Sequence, residues 1–348
     1  MDLLAKIKGI KYKPFLYREL EVFDFANLKK ALSFCASFIL KIDKRNQIAI
    51  SWWVSAKRTR SYPYARVYDT LNFSGKKITI IPVVKDEGKD GDRDFLQWDT
   101  VSLMSLLGVY VIIAYYNSAE RSKRYRHKIT NQRFDISYIQ AQIKNILSYQ
   151  SDALHWNLSH IGKTGQIGQR ALSCYSNISR KLKVGMHSKQ SAEKRINELL
   201  KGRNNFMKLS RVLAERAQKR EKLIVQPKEK LSGEKAIITI QNYLGGFYHF
   251  TSDEIEVKKD RIFLIEGKHS KAKSLPTLMD IKDGLLKMIL FVNLEKLKAD
   301  GKFYKVIPIL KLTVKNGFNL KNINEKQNRT IKLLKQEAEK NGFKILLK

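Results

Sequence analysis

Acidic residues, cysteines and prolines are scarce in this chain. Its 348 residues include 33 Asp and Glu against 67 Lys and Arg, a formal net charge of +34, with only two cysteines and six prolines. Such an excess of one sign would repel itself in the compact state unless a polyanion offset it. Nucleic acid is the partner that fits best, because Lys and Arg contacts to phosphate dominate its binding. An anionic membrane surface and a structural RNA-binding role of the ribosomal kind are the two rivals that the charge leaves open.

The scarcity of cysteine and the lack of targeting or membrane-spanning segments limit where the protein can act and which metal sites it can form. Cys35 and Cys174 lie too far apart in sequence to build a disulfide framework or a zinc cluster, which fits a reducing cytoplasm. The first ten residues lack the layout of a signal peptide. The longest apolar run, Val101 to Tyr116, is interrupted by Ser105 and Gly108 and is too short to span a bilayer. We therefore expect a cytoplasmic protein that does not act in a membrane.

Hydrophobic patterning predicts a mixed α/β fold. Continuous apolar strands at 77–84 and 109–116 flank a predicted helix, and helical spacing also runs from Asn27 to Leu40. A strong helix is predicted from Thr277 to about Lys298, between a strand pair and a further strand at 304–314. Three segments follow from these patterns: an N-terminal α/β unit for DNA recognition at 1–117, a basic helical region that grips DNA at 118–230, and a C-terminal mixed sheet flanked by helices at 231–348.

Basic and aromatic side chains interleave after an early predicted strand. Trp52, Trp53, Tyr62 and Tyr64 alternate there with lysine and arginine. Guanidinium groups bind phosphate or guanine edges, and flat rings stack on unpaired bases, so the pattern indicates DNA contact, although a basic loop over a buried aromatic cluster would look the same. The basic residues expected to contact DNA are Lys57, Arg58, Arg60, Arg66, Arg124, Arg126, Lys271 and Lys273.

The stretch from His249 to Lys273 reads as two short strands joined by a turn. Its second strand ends in Glu266-Gly267-Lys268, and the period of two puts Glu266 and Lys268 on one face. Asp253, at the entry to the preceding strand, is close enough in sequence to reach Glu266. Two carboxylates suit Mg²⁺, which polarises phosphate and lowers the pKa of water, while an ammonium can orient that water. The alternative is a surface hairpin whose charges are merely solvated.

This pattern resembles the PD-(D/E)XK nuclease superfamily, the fold of many type II restriction endonucleases. Asp253 matches the first acid of the motif, Glu266 the second and Lys268 the lysine, whereas Ser252 stands where the motif name has proline. The resemblance implies a Mg²⁺-dependent, sequence-specific endonuclease for double-stranded DNA, with Asp253 and Glu266 as metal ligands. It also implies a cognate DNA methyltransferase in the same cell, and allows for a homodimer, since many such enzymes dimerise to cut both strands.

Several readings stay open beside this one. The chain could be a non-catalytic nucleic-acid-binding protein with a decayed nuclease fold, or a nuclease of repair, recombination or transposition. A third acidic ligand could be Glu215 or Glu234. The N-terminal unit could hold a vestigial or real second site, because Asp69 precedes the strand at 77–84 and Glu87-Gly88-Lys89 follows it.

Overall fold

The chain folds into two compact units. The computed structural model describes residues 1–57, 59–201, 204–205, 208, 211–212, 215–216, 234–243, 246–271, 274–315 and 323–348. A terminal unit comprises Met1–Glu19 and Arg211–Lys348, and a central unit comprises Leu20–Ser210. In sequence, the central unit is therefore an insertion between the two parts of the terminal unit.

The chain begins with β1 (Asp2–Ile7), in which exposed and buried side chains alternate, as expected of a strand with one buried face. The central unit follows. Its strands are β2 (Val22–Asp24), β3 (Ser37–Lys41), β4 (Gln47–Trp52), β5 (Lys77–Pro82), β6 (Val84–Asp86), β7 (Arg93–Phe95), β8 (Val109–Ala114), β9 (Tyr116–Arg121) and β10 (Ile129–Phe134). Its helices are a 3-10 turn (Phe25–Asn27) and α1 (Leu28–Phe34), α2 (Pro63–Tyr68), α3 (Trp98–Leu106), α4 (Ile136–Ser148), α5 (Ala153–Ile161), α6 (Thr164–Leu182) and α7 (Lys189–Leu200).

The core of the central unit is a five-stranded sheet in the order β2-β3-β4-β5-β8. β4, β5 and β8 run parallel, so their carboxyl ends meet at one edge of the sheet. All six side chains of β8 are buried, which explains its continuous apolar sequence. The pairs β6–β7 and β9–β10 form two small antiparallel ribbons beyond this sheet.

The terminal unit is built on a seven-stranded sheet. Its later elements are β11 (Glu234–Asn242), β12 (Phe247–Lys258), β13 (Arg261–Ser270), α8 (Leu278–Val292), β14 (Glu295–Ala299), β15 (Lys302–Val314), α9 (Glu325–Asn341) and β16 (Lys344–Leu347). The strand order is β13-β12-β11-β1-β14-β15-β16. Because β13 also pairs with β15 in parallel, the strands from β13 to β15 form a closed ring of pairings. β11, β12 and β13 are antiparallel neighbours, and α8 lies in sequence between β13 and β15.

Helix α8 packs closely on the strands that carry the predicted site. Thr277 caps its first turn by accepting the backbone N–H of Asp280, and Ile281, Leu285 and Ile289 are fully buried. Gly284 marks the closest approach. A Cβ at that position would lie 2.8 Å from Cδ1 of Leu310 and 3.1 Å from Cε of Lys268, so only glycine fits without a shift.

The buried carboxylate of Glu337 fastens the N-terminal segment to α9. It accepts the hydroxyl of Tyr12 at 2.7 Å and the backbone N–H groups of Phe15 at 2.9 Å and Leu16 at 3.0 Å. These donors lie more than 300 positions away from Glu337 in sequence, so the hydrogen bonds connect the two ends of the chain within the terminal unit.

The mixed α/β class is confirmed, and the C-terminal order of strand pair, helix and strand is present as predicted. Segment limits differ from prediction. The expected boundary between 117 and 118 falls inside β9, and the expected limit at 230 lies outside the described residues. The helix predicted from Asn27 to Leu40 stops at Phe34, because residues 37–41 pair with β4 and bury Phe38 and Leu40. Within the described residues, no helix has the length and apolar character needed to cross a membrane.

Candidate active site

Asp253 and Glu266 meet where β12 departs from regular pairing. The β12–β13 ladder runs from Lys258 opposite Arg261 to Glu254 opposite Ile265. Beyond it, the register of β12 against β11 shifts by one residue, which is the signature of a β-bulge. Asp253 lies within this shift, and its Oδ2 accepts the backbone N–H of Gly267 at 2.8 Å. Asp253 is thus inside a long strand, and not at the entry to a short one as predicted.

The carboxylate of Glu266 is the centre of the cluster. It is 1% exposed, with Oε1 3.1 Å from Nζ of Lys268 and Oε2 2.6 Å from Nζ of Lys287. The Asp253 carboxyl group lies beside it. Burial alone would raise the pKa of Glu266, but Lys287 and then Lys268 outweigh burial and bring the pKa to about 2. Glu266 is therefore ionised at neutral pH.

Lys268 lies between two carboxylates. Its Nζ is 3.1 Å from Oε1 of Glu266 and 3.1 Å from Oδ2 of Asp283. Burial alone would lower the pKa of Lys268, but the charges of Glu266 and Asp283 outweigh it and hold the pKa above its usual range. Lys268 is consequently an ammonium at neutral pH, which can donate hydrogen bonds and attract anions but cannot accept a proton.

Helix α8 supplies two side chains that the sequence analysis missed. Asp283 and Lys287 are spaced by four and therefore lie on the same face of the helix, towards Lys268 and Glu266 respectively. Lys287 also donates to the carbonyl of Thr251 at 3.4 Å. The signal was present, since charged residues are unusual in an otherwise apolar helix, but only the apolar positions of this helix were used for the prediction.

Ser252, which replaces the proline of the motif name, has a structural role. Its hydroxyl lies 2.9 Å from the carbonyl of Glu254 and 3.0 Å from that of Ile265, and so ties β12 to β13 beside the bulge. Glu254 forms a separate buried pair with Lys311, whose Nζ is 2.7 Å from Oε2. The lack of proline therefore leaves the strand pair intact.

Access to the cluster is asymmetric. Glu266 is buried, whereas Asp253, Lys268 and Asp283 are partly exposed, so a ligand could reach them from solvent. Among the described residues, no group of three or more His, Cys, Asp or Glu is placed to hold a metal ion. Two adjoining carboxylates nevertheless suit Mg²⁺, which is commonly held by one or two carboxylates together with water and substrate phosphate.

The two suggested third ligands gain no support. Glu215 acts electrostatically on His249, and the side chain of Glu234 lies outside what the structure describes. Asp283 is the further acid that the fold brings to the cluster, through its contact with Lys268.

Of the basic residues expected to contact DNA, some are displayed to solvent and two are not described. Those on the surface are Lys57, Arg124, Arg126 and Lys271. Arg58 and Lys273 lie outside the described residues. The guanidinium of Arg124 also lies 5.5 Å from the ring centre of Tyr125, an arrangement that offers a cation and a flat ring together.

Arg60 and Arg66 are partly exposed and have internal partners, and their contact with DNA stays a prediction. Arg60 bridges Glu87 at 2.9 Å and Asp94 at 3.0 Å, and also contacts Asp92. Arg66 donates to the carbonyl of Trp52 at 2.9 Å and lies 4.5 Å from its ring centre. Both arginines thus hold the segment after β4 in place. The local sequence does not reveal the partners of Arg60, because Glu87 and Asp94 lie more than 25 positions further along the chain.

The alternative N-terminal motif is buried. Glu87 pairs with Lys85 at 2.9 Å and Lys128 at 3.4 Å besides Arg60, and Asp69 is buried at the C-terminal cap of α2. The lysines that meet Glu87 are thus Lys85 and Lys128, whereas the alternative motif would use Lys89.

Comparison of the chain with known protein-family models, with characterised proteins and with solved structures gives no match. The geometry of the cluster around Glu266 and the charge of the chain are therefore the features that bear on its function.

Proposed function

We propose that the terminal unit is a Mg²⁺-dependent endonuclease that cuts double-stranded DNA at specific sites, in the manner of a type II restriction enzyme. The observation that carries the proposal is the meeting of Asp253, Glu266 and Lys268, with Lys268 Nζ 3.1 Å from Glu266 Oε1 and the Asp253 carboxyl group beside that of Glu266. These are the three side chains that the resemblance assigns to catalysis, and they come from two strands that pair as that motif requires.

Each side chain has a role that follows from its surroundings. Asp253 and Glu266 would hold Mg²⁺, which when bound polarises a phosphate oxygen and lowers the pKa of water. Lys268 stays charged, so it acts by orienting water or by attracting the charge that develops on phosphate, and not as a base. Asp283 and Lys287 position Lys268 and Glu266 from α8.

The partners follow from charge and from the resemblance. A net charge of +34 favours a polyanion, and the exposed basic residues of both units offer contacts to phosphate. Cutting both strands would be served by a homodimer. A restriction activity would require a methyltransferase that protects the same sites in the cell.

One observation favours a second candidate, a nucleic-acid-binding protein that does not cut. Both oxygens of Glu266 already meet a lysine, and such a buried network also suits a purely structural role. Under this reading, Mg²⁺ would not be needed for any property of the protein.

The test is cleavage of unmodified plasmid and phage DNA in Mg²⁺, with EDTA as control. Asp253→Asn keeps an acceptor for Gly267 but removes a charge, and should slow cutting by about 100-fold or more. DNA binding in EDTA should change little. Glu256→Gln, at an exposed acid of the same strand, is the matched control and should cut normally.

The outcomes separate the candidates. Discrete fragments with one end sequence support restriction, whereas random or structure-dependent cutting indicates a repair, recombination or transposition nuclease. Tight binding with no cutting supports the non-catalytic candidate. Full activity in Asp253→Asn would move the site elsewhere, for example to Glu87.

A further inference from the structure

The central unit contains a cavity that the proposed cleavage reaction does not use. Its volume is about 830 Å³, within the range of small-molecule sites. Its lining includes Trp52 at the end of β4, Lys85 shortly after β5, and Tyr116 shortly after β8. The cavity thus lies beyond the carboxyl ends of three parallel strands, which is the general position of ligand sites in open α/β sheets.

The wall of this strand-end cavity carries more positive than negative charge. Its charged lining residues are Glu87 and Asp135 against the exposed Lys29 of α1, Lys85, Lys128 and Arg133. Lys85 at 2.9 Å and Lys128 at 3.4 Å both pair with Glu87. Burial alone would raise the pKa of Glu87, but Lys85 and Arg60 lower it, so Glu87 is ionised. A bound anion would offset part of the excess of basic side chains in this lining.

Flat rings form another part of the lining. Phe134 stacks on Tyr116 with ring centres 4.3 Å apart, and Trp52 meets Phe134 edge to face at 6.2 Å. Tyr116 and Phe134 are buried, while Trp52 is half-buried and borders the cavity. Ring faces beside lysines match a ligand that joins a planar group to a phosphate.

We propose that the strand-end cavity binds a nucleotide, with its phosphate at Lys29, Lys85 and Lys128 and its base against Trp52. The nucleotide is either one residue extruded from a bound DNA strand or a free mononucleotide, since both present the same chemistry. When a nucleotide is extruded from the DNA duplex, the faces and edges of its base become accessible. A cavity of this volume can enclose such a base. The proposal is independent of the cleavage site, because all of its residues belong to the central unit.

Calorimetric titration of the full chain in EDTA tests the pocket with dAMP, dTMP and inorganic phosphate as probes. We expect each nucleotide to bind, and phosphate to bind at least tenfold more weakly. Lys29→Gln should weaken nucleotide binding about three- to tenfold. Lys30→Gln is the matched control, because Lys30 is an equally exposed neighbour on α1 whose charge lies over the Phe34 ring, and it should change affinity less than twofold.

A duplex that carries 2-aminopurine identifies the source of the nucleotide. A rise in its fluorescence on binding, reduced by Trp52→Ala, assigns the cavity to an extruded DNA residue, whereas mononucleotide binding without that rise assigns it to a free nucleotide. The proposal is overturned if no nucleotide binds at about 10 mM and the duplex signal stays constant. It is also overturned if Lys29→Gln and Lys30→Gln behave alike, or if phosphate binds as tightly as the nucleotides.

Discussion

The contact between Lys287 and Glu266 allows a direct measurement of what holds the proposed site together. Their Nζ and Oε2 atoms lie 2.6 Å apart, with side chains 9% and 1% exposed. A pair of similar length, Lys258 and Glu256 at 2.8 Å, lies on the surface of the same unit with side chains 62% and 51% exposed. Because the two pairs differ chiefly in burial, replacing each lysine by methionine isolates the effect of burial on the free energy of unfolding.

The expected magnitudes are far apart. Removing one partner of a buried ion pair costs about 3–5 kcal/mol, because the other charge is left buried without compensation. Lys268 still lies 3.1 Å from Glu266, so we expect Lys287→Met to cost about 3 kcal/mol, the low end of that range. An exposed pair contributes about 0–1 kcal/mol, so Lys258→Met should cost less than about 1 kcal/mol.

Urea unfolding with two optical probes provides the assay. The four tryptophans, Trp52, Trp53, Trp98 and Trp156, all belong to the central unit, whereas far-ultraviolet circular dichroism reports on both units. The substitution Lys287→Met should therefore move the circular-dichroism transition with little change in tryptophan fluorescence. Equal shifts for Lys287→Met and Lys258→Met would refute the reasoning, since the buried contact would then contribute no more than a solvated one.

Three further outcomes are expected. Because the pKa of Glu266 falls from 4.5 to about 2, its stabilisation is complete above about pH 4.5 and lost towards pH 2, and Glu266→Gln should flatten urea midpoints over that range. Burial, followed by Lys163, lowers the pKa of His160 from 6.5 to about 4, so His160→Phe should flatten the fluorescence midpoint between those pH values, where the wild type loses stability on acidification. Glu337→Ala leaves the donors of Tyr12 and Leu16 without their acceptor and should cost about 3 kcal/mol by circular dichroism.

The part of the proposed site that lies on the β12–β13 hairpin was predictable from the sequence. Glu266 and Lys268 follow an apolar strand, and strand periodicity placed them on one face, in agreement with their 3.1 Å contact. Asp253 was close enough in sequence to be brought beside them by any short connection. The bulge that sets its position could not be predicted, because it arises from the pairing of β12 with β11, the preceding strand, which lies outside the hairpin used for the prediction.

The remaining features depend on contacts between distant segments. Asp283 and Lys287 meet the hairpin only because α8 packs on it with Gly284 at the closest point. Arg60 was expected at a DNA surface, and its ion pairs with Glu87, after β6, and with Asp94 of β7 were not predicted. Asp86 and Glu87 stand in a stretch rich in Asp and Gly after β5, yet both are buried. The charge of a side chain therefore does not predict whether it will form an internal ion pair or face solvent.

The position of β1 has a consequence for how the protein is made. The ribosome produces β1 before any other strand of its sheet, yet both neighbours of β1, β11 and β14, emerge only after the whole central unit has been synthesised. The central unit can fold during translation, while the nascent β1 must wait with both edges unpaired. Because an unpaired edge invites association with other chains, a translation product that stops short of residue 234 should be prone to aggregate. The proposed cleavage site would likewise be assembled only once β13 and α8 have left the ribosome.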